Sequence, residues 1–267
     1  MLSKGIIFKI ILIFACIFAL LPYAIMIICC FSTSASIKGN TIFQNLSFAN
    51  LIHNFSMLGK QSTFVTSLLN SLFVSLVSSI LGVMISAMIS YAIVAFNSKF
   101  AKHISRLSYL AMFIPEATLL VPLFLLYKFL NLLDSYTAII LSSMSLPFLI
   151  FLAKQNAELF PKDIIKAARI DGACELKIFV KVFVPTLRDV FVAGFLISFV
   201  NAWNSVLIPV VIIQSQNKIT NSIFLNSLGS IWFSDYAMLM LALVISTLPV
   251  LVLYMIFNRQ FHKAIFK

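Results

Sequence analysis

The sequence predicts an all-α, polytopic membrane protein with six spans, and three observations carry that prediction. The 267 residues are 61% hydrophobic and 10% charged, whereas a soluble globular domain is about 25% charged. Phe alone occurs 27 times, more apolar surface than a soluble fold of this size hides without large exposed patches. The apolar residues also cluster into six runs, near the ~20 residues that cross a bilayer as a helix.

These runs are residues 8–31, 66–96, 107–130, 136–153, 183–213 and 237–257. The first resembles a secretion signal, but its apolar stretch exceeds the roughly 7–15 residues of a signal core, and no small-x-small cleavage site follows cleanly. It is therefore expected to be a retained span. The second is long enough to tilt or to begin at the interface.

Charge sets the expected orientation. The net charge is +11, and no Arg-rich stripe interleaved with aromatics points to nucleic acid. With the N-terminus inside, fifteen of the nineteen cations fall in inner segments, leaving Lys38, Lys60, Lys128 and Lys218 outside. Cationic loops stay cytoplasmic, so a multi-pass protein of the bacterial cytoplasmic (inner) membrane is expected, with both termini on the cytoplasmic side. The outer segments 32–64 and 214–235 are polar and long enough to form folded caps or a partner surface.

Between the fourth and fifth runs lies AARIDGACELKIFVKVFVP, residues 167–185. Pro161 suits the first position of a helix, and Asp163 suits its positive end. Ile164, Ile165, Ala167, Ala168 and Ile170 supply apolar contacts, with Lys166 and Arg169 toward the far end. Gly172 is the residue best suited to a left-handed stop. A second short helix is expected from about Ala173, carrying Leu176, Phe179 and Val180, with re-entry at Pro185. A bent, charged unit with an apolar ridge fits a groove on a soluble partner and equally an amphipathic helix on lipid headgroups.

Other chemistry is sparse. Cys16, Cys29, Cys30 and Cys174 have no metal-ligand spacing and read as small apolar filler. His53, His103 and His262 are scattered, and read as solvated loop or terminal residues. The seven glycines form no phosphate-binding loop, and no paired catalytic set supports an intramembrane enzyme. Two features interrupt the apolar runs. Glu116 is expected about ten residues into the third span, ~15 Å deep at ~1.5 Å per residue, where a carboxylate marks either function or a kink between Pro115 and Pro122. Asn201, Trp203 and Asn204 are expected in the middle of the fifth span. Their amides and indole can line a solute pathway or bond neighbouring helices.

The segment AARIDGA, followed by an apolar, charged stretch to Pro185, resembles the EAA loop of permease subunits of binding-protein-dependent ABC importers. NAWNSVLIPVVII at 201–213, FIPEATLLVPLFLLYKFLNLLDSYTAIIL at 113–141 and STLPVLVLYMIFNRQF at 246–261 resemble segments of the carbohydrate-uptake branch, closest to the smaller permease of the maltose and glycerol-phosphate systems. The resemblance covers nearly the whole chain.

It implies a type I importer permease fold with a cytoplasmic coupling-helix loop: residues 1–64 as first span and outer loop, and 65–267 as a five-helix core with the loop at 154–185. It implies that Ala167, Ala168, Asp171, Gly172, Ala173 and Pro185 dock onto an ATPase, while Glu116, Asn201, Trp203 and Asn204 stay candidates for the pathway on the grounds given above. The partners implied are a second permease, two nucleotide-binding ATPase subunits and an extracytoplasmic substrate-binding protein. No cofactor is expected in this chain, ATP and Mg being held by the ATPase. The implied function is inward movement of a sugar or related polar solute, such as glycerol phosphate. The other function considered is a proton-coupled secondary transporter using Glu116, which would require inverted repeats that the sequence does not display. Two positions depart from the family pattern: Lys166 stands where an acid is usual, and Asp189 where a proline is.

Overall fold

A computed structural model describes residues 2–229 and 235–265, with side chains from 8 to 229 and from 235 to 261. Residues 230–234 of the outer segment expected over 214–235 and the last cation, Lys267, lie outside the described residues. Among these residues the chain is helical, with no strand.

Three helices are long and apolar enough to cross a membrane unbroken. They belong to α1 (Leu2–Cys30), α4 (Ser62–Phe96) and α15 (Tyr236–Ile265), matching the first, second and sixth expected spans. Between α1 and α4 lie α2 (Ser34–Lys38) and α3 (Phe48–Lys60).

The other three expected spans are each broken. In place of one helix over 107–130 stand α5 (Lys99–Ala111) and α6 (Glu116–Phe129), 119° apart. Pro115 caps α6 at φ −61° and has no N–H to extend a helix through the turn. The fourth consists of α7 (Tyr136–Ser143) and α8 (Leu146–Glu158), bent by 40°. Ser145 between them is left-handed at φ 50°, and Pro147 sits in the first turn of α8. After α9 (Lys162–Ile170) come α10 (Glu175–Ile178), a wide π turn over Phe179–Phe183 and α11 (Val184–Thr186). The chain then swings by 78° into α12 (Arg188–Asn204). Residues 205–206 separate α12 from α13 (Leu207–Ile212), and α14 (Asn221–Leu228) follows. Counting each bent pair as one crossing gives six.

Contacts divide the chain into two compact units, Met1–Val65 with Phe224–Leu248, and Thr66–Ile223 with Pro249–Lys267. In the first, two asparagines rivet α3 onto the end of α1. Asn54 Nδ2 donates to the carbonyls of Cys30 (2.9 Å) and Ser32 (3.1 Å), and Asn50 Nδ2 to that of Phe31 (3.1 Å). The Cys30 carbonyl is one that a helix end leaves without a partner in the helix, and those of Phe31 and Ser32 belong to the turn that follows it.

The second unit is organised by one face of α4, where Ser71, Ser75, Ser79, Gly82, Ser86 and Ser90 recur at helical spacing, the serines all buried. Small residues let helix backbones approach closely. A Cβ on Gly82 would lie 2.5 Å from the Met144 carbonyl oxygen and 2.8 Å from Leu149 Cδ1; one on Gly194 would meet the other Leu149 methyl at 3.0 Å. Leu149 is thus gripped between glycines of α4 and α12, just past the break in the fourth span. The serine hydroxyls turn onto their own helix: Ser75 to the Ser71 carbonyl (2.6 Å), Ser86 to Val83 (2.9 Å) and Ser90 to Ala87 (2.9 Å).

Candidate functional site

The three helix interruptions come together. Glu116 at the head of α6, Ser142, Ser143 and Ser145 at the α7–α8 break, and Asn201, Asn204 and Ser205 at the α12–α13 break line one cavity of about 640 Å³. Glu116, Asn201 and Asn204 are exposed, and among the described residues no side-chain hydrogen bond or ion pair holds any of them. Lipid offers such groups no partner. Three free polar side chains on one wall therefore call for water, a solute or another polypeptide.

The structure corrects two expectations here. Glu116 is not ten residues into a continuous span; it is the first residue of α6, directly after the sharp turn at Pro115. Asn201, Trp203 and Asn204 are not mid-helix either, but close the last turn of α12 before the break. Trp203 parts from the two asparagines. It is buried at 4% exposure, stacks on Phe199 with ring centroids 5.8 Å apart, and its carbonyl accepts from Ser222 Oγ at 2.9 Å.

The charged segment is a second candidate site. Pro161 is the residue before the first helical one rather than the first itself. Gly172 adopts φ 78°, the left-handed stop the sequence suggested, and the following helix begins at Glu175 rather than near Ala173. Ile165, Ile178 and Phe183 are buried with Tyr91, Ala157 and Phe160 in one apolar cluster, and Ala168 and Ala173 pack against it. Ala167, Asp171, Gly172 and Pro185 are exposed. So are Ile170 (86%) and Leu176 (71%), which leaves apolar knobs on the outer side of a firmly seated bend. Lys166 does not lack a partner: its ammonium lies 2.8 Å from Asp163 one turn back, and that hydrogen bond holds the Asp163 carboxyl below its usual range.

Sequence reasoning missed what fastens this bend. Glu175 accepts from Arg169 Nε at 2.6 Å and from the Tyr91 hydroxyl at 2.6 Å. Arg169 also donates to the Ala95 carbonyl at 3.2 Å, and its guanidinium lies 5.2 Å from the centre of the Phe96 ring. Arg169 and Glu175 thereby join α9, α10 and the end of α4 across the glycine turn.

A second polar knot sits near the opposite end of α4. Asp134 Oδ1 accepts the backbone N–H groups of Gln214 (3.0 Å) and Ser215 (2.9 Å), and Lys218 donates to Oδ2 at 3.1 Å. The Ser215 hydroxyl, then these N–H groups, hold the Asp134 carboxyl far below its ordinary value. Asn70 Nδ2 donates to the carbonyls of Asn217 (2.9 Å) and Ile219 (3.0 Å), and Tyr136 donates to Asn70 Oδ1 at 2.9 Å. The two knots therefore bind loops that the cation pattern assigned to opposite sides of the membrane.

A helical chain of several spans, with a polar cavity where its helices break and a rigid charged bend at one end, has the build of a multi-pass membrane transporter. The comparisons agree. A family described as "Binding-protein-dependent transport system inner membrane component" matches residues 78–267, and the chain belongs to that family: it is a transport permease and not an enzyme. It is 30% identical over 230 residues to the lactose transport system permease protein of Rhizobium radiobacter, covering 86% of this chain and 83% of that one. It is likewise 30% identical over 253 residues to the arabinooligosaccharides transport system permease protein of Halalkalibacterium halodurans, covering 93% and 90%. The fold matches a crystal structure of a bacterial ABC transporter involved in import of the acidic polysaccharide alginate, with TM-score 0.81, 20% identity and 96% of both chains covered.

Proposed function

We propose that this chain is one half of the membrane channel of an ATP-driven importer that moves a carbohydrate into the cytoplasm. In this reading it pairs with a second permease, an extracytoplasmic substrate-binding protein delivers the solute to the outer loops, and both termini are cytoplasmic. Two separate ATPase subunits bind ATP and Mg and close on the bound ATP, while this chain holds no cofactor of its own. The exposed side of the bend, with Ala167, Asp171, Gly172 and Pro185, seats in the ATPase; Ala168 and Ala173 anchor it from behind. The cavity walled by Glu116, Asn201 and Asn204 is a stretch of the solute path, and Trp203 braces its wall. ATPase closure then shifts the paired permeases between outward-open and inward-open populations.

The observation that carries this reading is the glycine-turned bend whose Arg169–Glu175 pair is fastened to Tyr91 and Ala95 of α4. A displacement of the bend cannot leave α4 behind without breaking charged hydrogen bonds. The family and the sugar-transport names of its relatives support the solute class. They do not favour a proton-coupled secondary transporter, nor does the position of Glu116 at a helix end.

The test uses the complete complex in proteoliposomes with Gly172→Pro, since proline cannot adopt φ 78°. Basal ATP hydrolysis is expected to persist, while its stimulation by the loaded binding protein falls at least tenfold. Full stimulation in an assembled variant complex would remove the bend from the coupling path.

A further inference from the structure

We propose that Glu116 makes the cavity an electrostatic filter that admits neutral polyhydroxylated solutes and turns away anionic ones such as uronates and phosphate esters. This rests on reading the cavity as part of the solute path and adds to it a rule for what passes.

The lining carries the argument. The chain has a net charge of +11, yet among the described residues no Lys, Arg or His lines this cavity, and the one ionisable wall group among them is the carboxylate of Glu116. The other polar groups are amides and hydroxyls: Asn201, Asn204, Ser142, Ser145 and Ser205. Amides and hydroxyls both donate and accept, which suits sugar hydroxyls, and an ionised carboxylate only accepts. Ser143 on the same wall is 8% exposed, and its hydroxyl has no partner in the structure, a buried polar atom still waiting for one.

A phosphate or uronate would need the opposite equipment. Anions are held by Arg, Lys or converging N–H donors, and a cleft lined by one sign of charge, with low-dielectric walls, concentrates its field inside. In a cavity of about 640 Å³ no entering charge stays far from Glu116. Neutral solutes lose nothing to that field.

The experiment measures the field directly in the assembled transporter. Cys16, Cys29, Cys30 and Cys174 are replaced by Ser, and Asn204→Cys is labelled with methanethiosulfonates carrying either a trimethylammonium or a sulfonate group. Relative to a free thiol in solution, the cationic reagent is expected to react about fivefold faster than the anionic one, from two unit charges across a water-filled cavity. Glu116→Gln should erase that preference, and Glu116→Lys should invert it. Asn201→Cys repeats the measurement on the same wall should the first variant fail to assemble. Labelling with a cation-to-anion ratio that ignores Glu116 would overturn the filter while leaving the path intact. No labelling at either position in an assembled complex would overturn both the path and the filter built on it.

Discussion

Removing the Tyr91 hydroxyl should uncouple the charged bend from α4 without unseating it. Tyr91→Phe keeps the ring, which packs at 5.3 Å on Phe179 and 5.1 Å on Phe183, and deletes only the 2.6 Å bond to Glu175. Hydrogen bonds to charged groups contribute about 1.5–3 kcal/mol. Glu175 is 41% exposed, so solvent screening places this one near the lower end, about 1.5 kcal/mol. In a chain of this size that is a loss of roughly 3–6 °C in the unfolding midpoint, read with a thiol-reactive dye on the detergent-solubilised complex. Glu175→Gln removes the same bond's charge and the pairing with Arg169. If one knot holds the bend, Tyr91→Phe in the Glu175→Gln background should cost well under half of its cost alone, a coupling of about 1 kcal/mol. The same variants should lower substrate-stimulated ATP hydrolysis more than basal hydrolysis. Strict additivity in the cycle, with stimulation unchanged, would mean that the knot neither stabilises the bend nor transmits its motion.

Two further outcomes follow from the packing and the charges. Gly82→Ala places a methyl 2.5 Å from the Met144 carbonyl oxygen, a backbone atom that cannot rotate away, so overpacking should cost about 1–3 kcal/mol; Gly59→Ala, whose added carbon meets nothing within 4 Å, should be tolerated in the same thermal assay. The carboxyl of Asp134 is held below its unfolded value, so its contribution is complete above about pH 4 and declines as acid protonates the folded state. Hydrogen exchange at the Gln214 and Ser215 amides should show opening that increases below that pH in the native protein. In Asp134→Asn that acid dependence should be absent.

Much of the architecture was legible because apolar run length is a direct reading of what a bilayer demands. Six runs, and the turn at Gly172, stand out in the residues themselves. The breaks did not, since apolar character continues unbroken through Ile114, Met144 and Val206 while the backbone changes direction beneath it. Pro115, Pro147 and Pro209 were visible markers, yet proline alone does not separate a kink from a 119° turn. At the cavity, Glu116 and the asparagines were conspicuous as polar residues among apolar ones. The departure of Trp203 is simple helix geometry: positions 201 and 204 share a face and 203 does not. The knots were out of reach for another reason. Tyr91 and Glu175 are 84 positions apart, and Asp134 and Lys218 are also 84 apart, and nothing local in either partner announces the other. The joining of Phe224–Leu248 to the N-terminal unit is likewise a matter of long-range packing.

The serines along α4 have a mechanical consequence. Ser75, Ser86 and Ser90 each satisfy their hydroxyls on the backbone of their own helix, so this stretch of the seam is small and smooth, whereas Ser71 near its start is stitched to a neighbour by accepting the Asn221 N–H at 2.7 Å. A neighbouring helix can shift along this stretch without any of these bonds having to break, and the close fit of Leu149 at Gly82 is what resists it. The seam works as a bearing, and the polar knots near its two ends set how far it travels.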